Sequence, residues 1–163
     1  AMAGREAFER VVGALEGAAA AGDVSADAAA IDRTLGPIAR RARRGSVIVL
    51  LSDLLDLPDG SLSSFTALAT SGRTLITVQV LDPVEADLGF HGNVRLRAME
   101  GDAVIEADAD AVRAVYKERL LALSTPWEKE LEARGGRLIR ATSADPPVAV
   151  VRAILKAVQE ARR

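Results

Sequence analysis

The chain contains no cysteine and only one histidine among its 163 residues. Disulfide bonds, thiolate catalysis and cysteine-ligated zinc are therefore excluded, as is a metal site built from several histidines of one chain. Aromatic residues make up 3% of the sequence, which leaves few platforms for stacking nucleic-acid bases. The formal net charge is -2, so no overall field attracts nucleic acid or an anionic membrane.

Long apolar runs and nucleotide-binding motifs are also absent. No run approaches the roughly 20 residues that a helix needs to span a bilayer, and no cleavable signal is recognisable. No phosphate-binding loop of the form G-x-x-x-x-G-K-[ST] occurs, so nucleotide chemistry has no support. We expect a cytoplasmic domain with no membrane contact by this segment, any membrane anchor lying outside the chain.

An unbroken β-branched run at residues 46–52 is the most informative stretch that is present. Because it is apolar on both faces, it predicts a strand covered by helices on both sides. Similar runs predict parallel strands at residues 74–81 and 137–142. The predicted fold class is α/β, a three-layer Rossmann-like parallel sheet. Apolar residues at helical spacing predict helices at residues 5–20, 61–71 and 108–134, and from Pro146 onward. A further helix is predicted to start at the candidate N-caps in residues 23–27 and to end at Arg44.

Several local signals refine these helices. Ser61 is expected to be the N-cap of the third helix, and Asp145 that of the last, with Pro146 at its first helical position. Gly36-Pro37 and Pro126 fall inside helical patterns, and we expect them to kink or break those helices. The expectation follows because proline lacks a backbone donor and its ring clashes with the preceding turn.

Between the second strand and the long helix, residues 84–93 are predicted to form a loop. Alternating apolar and polar residues on both sides of Glu100-Gly101-Asp102 then predict a small β-hairpin at residues 94–106. With this hairpin as an insertion, residues 1–163 are predicted to form a single domain.

Polar side chains follow each predicted strand. Because parallel strands end at one edge of a sheet, where open α/β sheets place their ligands, we expect these residues to share a surface. Each also has a structural explanation: turn capping for Asp53, turn and helix-start chemistry for Asp82 and Glu85. The residues are Ser52, Asp53, Asp82, Glu85 and Thr142.

Other polar and aromatic residues favour structural roles. Four arginines between residues 40 and 44 are interpreted as cations at the negative end of a helix, in preference to a phosphate- or partner-binding patch. His91 is expected to be exposed, since no Ser–His–Asp spacing supports catalysis. Trp127 and Tyr116 are expected in the core.

Several motifs resemble the C-terminal half of bacterial domain-of-unknown-function family 58. They are Arg44-Gly45-Ser46 leading into VIVLLSDLLD, VQVLDPVE at residues 78–85 and AMEGD at 98–102, with Tyr116, Gly136 and Thr142 also fitting. The resemblance covers nearly the whole chain. It implies a von Willebrand factor A-like domain, here truncated at its N-terminal half.

The resemblance also implies a function. Such proteins are often encoded beside MoxR-type AAA+ ATPases and are thought to act as adaptors or co-chaperones, not enzymes. We therefore expect a non-enzymatic protein-interaction module whose surface is the carboxyl edge of the sheet. Fold-level analogy carries much of this expectation.

The metal site of von Willebrand factor A-like domains is incomplete in this sequence. Asp53 matches its third loop, and Ser25 lies roughly where a second-loop threonine falls, but the first D-x-S-x-S loop is missing. The literal match at residues 59–63 follows Pro58 and better explains a helix start. One carboxylate rarely holds Mg²⁺ alone, so we expect no cofactor unless missing residues or a partner complete the site.

Without the first half of the domain, the strand at residues 46–52 becomes an apolar edge strand. Such an edge invites pairing with another chain, so we expect a homodimer or binding of the missing half. The alternative function is a small metal-dependent α/β hydrolase or phosphotransfer domain using Asp53. It requires second and third oxygen ligands close to that carboxylate.

Overall fold

A computed structural model describes residues 4–19, 27, 29–97 and 104–161. Twelve elements follow one another in the described ranges, and η1 denotes the 3₁₀ helix. They are α1 (Arg5–Glu16), α2 (Ala30–Arg41), β1 (Val47–Ser52), α3 (Ser61–Thr66), η1 (Ala67–Gly72), β2 (Thr74–Leu81), α4 (Pro83–Asp87), β3 (Asn93–Arg97), β4 (Val104–Asp108), α5 (Ala109–Glu132), β5 (Arg137–Thr142) and α6 (Pro147–Ala161).

Three parallel strands form the main sheet in the order β1-β2-β5. The register places Ile76 of β2 beside Val49 of β1, and Val78 of β2 beside Ile139 of β5. Helices lie on both faces, as the doubly apolar strand patterns predict. The α/β fold class and all three predicted core strands are confirmed.

The larger core lies between the sheet and α2, α3 and α5. Phe65 and Trp127 pack here with ring centroids 6.0 Å apart. Trp127 is therefore a core residue, as predicted. The buried members of this core are Ile48, Leu54, Phe65, Leu68, Leu75, Trp127, Leu131 and Leu138.

The opposite face of the sheet is covered by α6. Ile76 and Val78 of β2 and Ala141 of β5 are buried there against Ala157. Because α6 lies over β2 and β5, the outer part of β1 is less covered. Val49 and Leu51 on this face are 42% and 65% exposed.

The predicted hairpin is confirmed as a separate antiparallel pair of strands, β3 and β4, with Val94 beside Ala107. The predicted turn at residues 100–102 lies outside the described residues. The carboxylate of Asp108 accepts hydrogen bonds from the backbone N–H groups of Asp110 and Ala111, so it caps α5.

Several helix starts differ from prediction. Gly60, with φ 86°, is the N-cap of α3, a left-handed conformation that glycine adopts without strain. Ser61 is instead the first helical residue, and its buried hydroxyl donates to the Pro58 carbonyl at 2.6 Å. The predicted helix at 61–71 also changes at Ala67 from α to 3₁₀. At the C-terminal end, Asp145 accepts from the Thr142 N–H at 2.7 Å, and α6 begins one residue late, at Pro147.

The internal prolines do not break their helices. Pro37 lies within α2 and Pro126 within α5, and both helices continue past them. Core packing on the C-terminal side of each proline offsets the lost backbone hydrogen bond: Ala39 of α2 and Trp127 of α5 both pack in the larger core.

Helix α1 is the least integrated element of the described chain. It ends at Glu16, before the predicted residue 20, and the proposed cap at Gly22 lies outside the described residues. Its predicted apolar stripe remains open, with Phe8 69% and Leu15 70% exposed. The described part of the chain therefore does not bury this helix.

Thr77 presents a stability test. Its side chain is fully buried in β2, yet its hydroxyl has no hydrogen-bond partner among the described residues. Thr77→Val removes the unpaired hydroxyl with little change of shape, so we expect stabilisation by about 1 kcal/mol in urea unfolding.

Thr66→Val is the matched control. The Thr66 side chain is also buried, but its hydroxyl donates to the Leu62 carbonyl at 2.8 Å. This variant should lose about 1 kcal/mol. Equal destabilisation by both substitutions would contradict our account of Thr77.

Candidate functional site

The loop after β1 is shaped by the predicted residues Ser52 and Asp53. The Ser52 hydroxyl accepts from the Leu54 N–H at 3.0 Å, and the Asp53 carboxylate accepts from the Leu55 N–H at 2.9 Å. Leu54 and Asp56 both have positive φ, 65° and 48°. The turn-capping explanation of Asp53 is therefore confirmed.

Gln79 of β2 holds the same loop from inside. Its side-chain amide donates to the Asp53 carbonyl at 3.1 Å, and the residue is only 2% exposed. Leu54 anchors the loop further, because its side chain is buried in the core. These contacts explain how the positive φ of Leu54 persists in a non-glycine residue. The sequence offers one signal for this role of Gln79, an amide side chain inside a predicted buried strand.

Asp82 and Glu85 form a reciprocal cap at the end of β2. The Asp82 carboxylate accepts from the Val84 N–H at 2.8 Å, and the Glu85 carboxylate accepts from the Asp82 N–H at 2.9 Å. With Pro83 at the first helical position, this capping box starts the short helix α4. The predicted loop at 84–93 is therefore wrong at its beginning, whereas the helix-start role of Asp82 and Glu85 is confirmed.

The ends of β2 and β5 are joined directly. The Ser143 hydroxyl lies 3.3 Å from the Asp82 carboxylate, and the Ser143 N–H donates to the Leu81 carbonyl at 2.9 Å. Thr142, the last residue of β5, donates its N–H to Asp145. The predicted edge residues thus follow neighbouring strand ends, but their polar atoms are largely engaged in local caps.

Helix α5 fixes the segment after β2. The Tyr116 hydroxyl donates to the Glu85 carbonyl at 2.6 Å, and Lys117 pairs with Asp87 at 2.7 Å. Partial burial, with a smaller effect of the Glu85 charge, raises the pKa of Tyr116. Tyr116 therefore lies half-buried beside α4, not in the core as predicted. The Lys117 ammonium lowers the pKa of Asp87.

Asp110 is the electrostatic centre of the adjoining turn. Its carboxylate accepts from the Gly92 N–H at 2.9 Å and contacts Arg113 at 2.9 Å and His91 at 3.1 Å. These hydrogen bonds lower the pKa of Asp110 to about 2, and the one from the Gly92 N–H has the largest effect. The His91 side chain is exposed, as predicted, and contributes to this turn through its contact with Asp110.

The described residues do not form a complete divalent-cation site. In residues 4–19, 27, 29–97 and 104–161, no group of three or more Asp, Glu, His or Cys side chains converges. Asp53 therefore has no further metal ligands beside it among these residues, and its carboxylate caps a turn. Ser25 lies outside the described residues, so its metal role stays a prediction. Magnesium chemistry at Asp53, and with it the hydrolase or phosphotransfer alternative, finds no support in this geometry.

The chain belongs to the family described as Protein of unknown function DUF58, which matches residues 1–125. The predicted family is confirmed.

A solved structure is also similar: the conserved hypothetical protein BatB from Bacteroides thetaiotaomicron. It matches with 14% identity and a TM-score of 0.46, over 82% of this chain and 59% of the BatB chain. This chain thus spans less than two thirds of BatB. No curated protein matches the chain. No helix within the described ranges is long and apolar enough to cross a membrane.

The lowered pKa of Asp110 predicts a pH dependence of stability. Because its folded pKa of about 2 lies below the ordinary value of 3.8, its contribution is present above pH 3.8 and is lost as pH falls toward 2. The difference in urea-unfolding stability between wild type and Asp110→Asn should therefore shrink from pH 5 to pH 2.5.

Asp59→Asn is the control, because it removes an exposed carboxylate from a different loop. Its stability difference from wild type should change less over the same pH range. A constant wild-type advantage over Asp110→Asn at all pH values would contradict the assignment.

Proposed function

We propose that this chain is a non-enzymatic protein-interaction module, which acts in the cytoplasm as an adaptor or co-chaperone of a MoxR-type AAA+ ATPase. The observation that carries the interaction role is the outer edge of β1, bordered by bare apolar side chains. The identity of the ATPase rests on the family resemblance alone.

The edge of β1 offers backbone groups for pairing. Within the described residues β1 pairs with β2 on one side, and no strand lies on its other side. The strand is six residues long and contains neither proline nor a charged residue. It therefore lacks the devices that usually keep a sheet edge from pairing with another chain.

Exposed apolar side chains occur on the α6 side of the sheet, both on β1 and on α6 itself. Val49 and Leu51 of β1 are exposed there, and α6 carries an exposed stripe of Val148, Val151 and Leu155, 53–60% exposed. Single exposed apolar residues are ordinary, but a group on one face is typical of an interaction site. We infer that a partner adds an extended segment to β1 and covers this group.

The predicted carboxyl-edge residues would border this contact. Ser52 and Asp53 end β1, while Asp82, Glu85 and Thr142 follow the neighbouring strand ends. Since their polar atoms already serve caps, we expect them to contribute orientation and specificity, and the apolar residues to contribute most of the affinity.

Affinity capture tests the adaptor role. The immobilised chain is incubated with lysate of its own cell, and retained proteins are identified by mass spectrometry. Wild type should retain a AAA+ ATPase, whereas Leu51→Glu should retain at least tenfold less, because a charge would be buried in the contact. Ile105→Glu is the matched control, since Ile105 of the hairpin is 63% exposed, like Leu51 at 65%.

Asp53→Ala locates the surface more finely. Loss of the ATPase in this variant would place the carboxyl edge in the contact, and retention would restrict the contact to β1 and α6. If the ATPase is absent from the wild-type sample, or retained equally by Leu51→Glu, the proposed surface is wrong.

The same edge can pair with a second copy of the chain, and we propose a homodimer when no other partner is present. Light scattering should then give a dimer for wild type and for Ile105→Glu, and a monomer for Leu51→Glu. Circular dichroism confirms that each variant is folded. A monodisperse wild-type monomer would rule out self-pairing.

A further inference from the structure

A cavity of about 320 Å³ lies on the face of the sheet opposite to α6, between α5 and the carboxyl ends of β2 and β5. One stripe of α5 lines it at helical spacing: Lys117, Leu120, Leu121 and Ser124. Ala86 of α4 and Ala141 of β5 also line it. The small side chain of Ala86 leaves room beside this stripe, whereas the Ala141 side chain lies on the α6 face of the sheet. The volume lies within the range of small-molecule sites.

Most of the wall is apolar, formed by three leucine side chains and that of Ala86. Leu81 is buried at the base, whereas Leu121 is 57% exposed. Replacement of water by an apolar group in a cavity with such walls is favourable, because it removes apolar surface from water. The wall therefore favours an aliphatic or aromatic group over a polar one.

A few polar groups converge on the same cavity. Gln79 and Ser124 are 2% and 1% exposed, and both line it. The Ser124 hydroxyl accepts from the Arg140 guanidinium at 3.2 Å, so serine and arginine are held together. The Gln79 amide nitrogen is engaged with the Asp53 carbonyl, which leaves its oxygen as the remaining polar atom of that side chain.

Two cations, Lys117 and Arg140, belong to this lining, and each pairs with a carboxylate. Lys117 pairs with Asp87 at 2.7 Å, with side chains 45% and 73% exposed. Arg140 pairs with Glu128 at 2.9 Å, with side chains 42% and 38% exposed. Exposed ion pairs of this kind are weak, so a ligand carboxylate can join or replace them at little cost.

The two carboxylates that line the cavity are already engaged in contacts within the protein. Asp145 accepts from the Thr142 N–H, and Asp87 is bound to Lys117. An ammonium has three N–H donors, and the ion pair of Lys117 with Asp87 engages one carboxylate oxygen. The lining therefore favours an anionic ligand group over a cationic one.

We propose that this cavity binds a carboxylate joined to an apolar group. Such a ligand is either a free medium-chain carboxylic acid or the C-terminal residue of a peptide. Its apolar part lies between Leu81, Leu120 and Leu121, and its carboxylate binds Lys117 and Arg140. The site is separate from the β1 surface, because Gln79 and Leu81 face α5 whereas Val49 and Leu51 face α6.

The test is an NMR titration of the ¹⁵N-labelled chain with octanoate and, separately, with the tripeptide Gly-Gly-Leu. Octylamine and the C-terminal amide of the tripeptide are the matched controls without a carboxylate. We expect shifts of the backbone amides of Gln79, Leu121 and Thr142 with at least one acid, and binding at least fivefold weaker with its control. Binding of octanoate alone assigns a free acid, and binding of Gly-Gly-Leu alone assigns a peptide terminus.

Lys117→Met should weaken binding of the acid at least fivefold. Lys129→Met is the matched variant, because Lys129 lies exposed on the same helix and does not line the cavity; it should bind like wild type. The proposal is overturned if neither acid shifts these amides at 5 mM, if octylamine binds as well as octanoate, or if both lysine variants weaken binding equally. None of these results bears on the capture experiment.

Discussion

The enclosure of β2 is the constraint on which the rest of this structure depends. The strand has neighbours on both sides and helices on both faces, so nearly every side chain along it is buried. A polar group in such a place lowers stability unless it finds a partner within the protein. Gln79 does so by donating to the loop after β1, and this requirement links the interior of the sheet to the geometry of its carboxyl edge.

The predicted site residues therefore have a clear first role. Asp53, Asp82 and Glu85 accept hydrogen bonds from backbone N–H groups where strands end, so these carboxylates shape the turns at the edge of the sheet. The exposed apolar side chains of β1 and α6 near this edge support the proposed recognition of another protein. That is the physical basis of the proposed interaction role.

The strands were predictable because uninterrupted β-branched runs have few alternatives to a buried parallel strand. Asp53 and Asp82 were predictable because acidic residues directly after such runs serve turns and caps. Helix α4 and the role of Gln79 were missed for another reason: α4 is a short helix that depends on a capping box, and Gln79 depends on a residue far away in sequence. The cap at Gly60 depends on backbone conformation, which Ser61 in the next position obscured.

The parallel sheet also determines how the chain must fold. Val47 pairs with Thr74, and Thr77 pairs with Leu138, so each pair of strands closes a long loop. The pairing of β2 with β5 also requires α5 to cross over the sheet first. Pairing of this kind is slow compared with formation of the local hairpin β3–β4. During that delay the side of β2 that later pairs with β5 is open, so the time spent before β5 docks is when this chain is most exposed to aggregation.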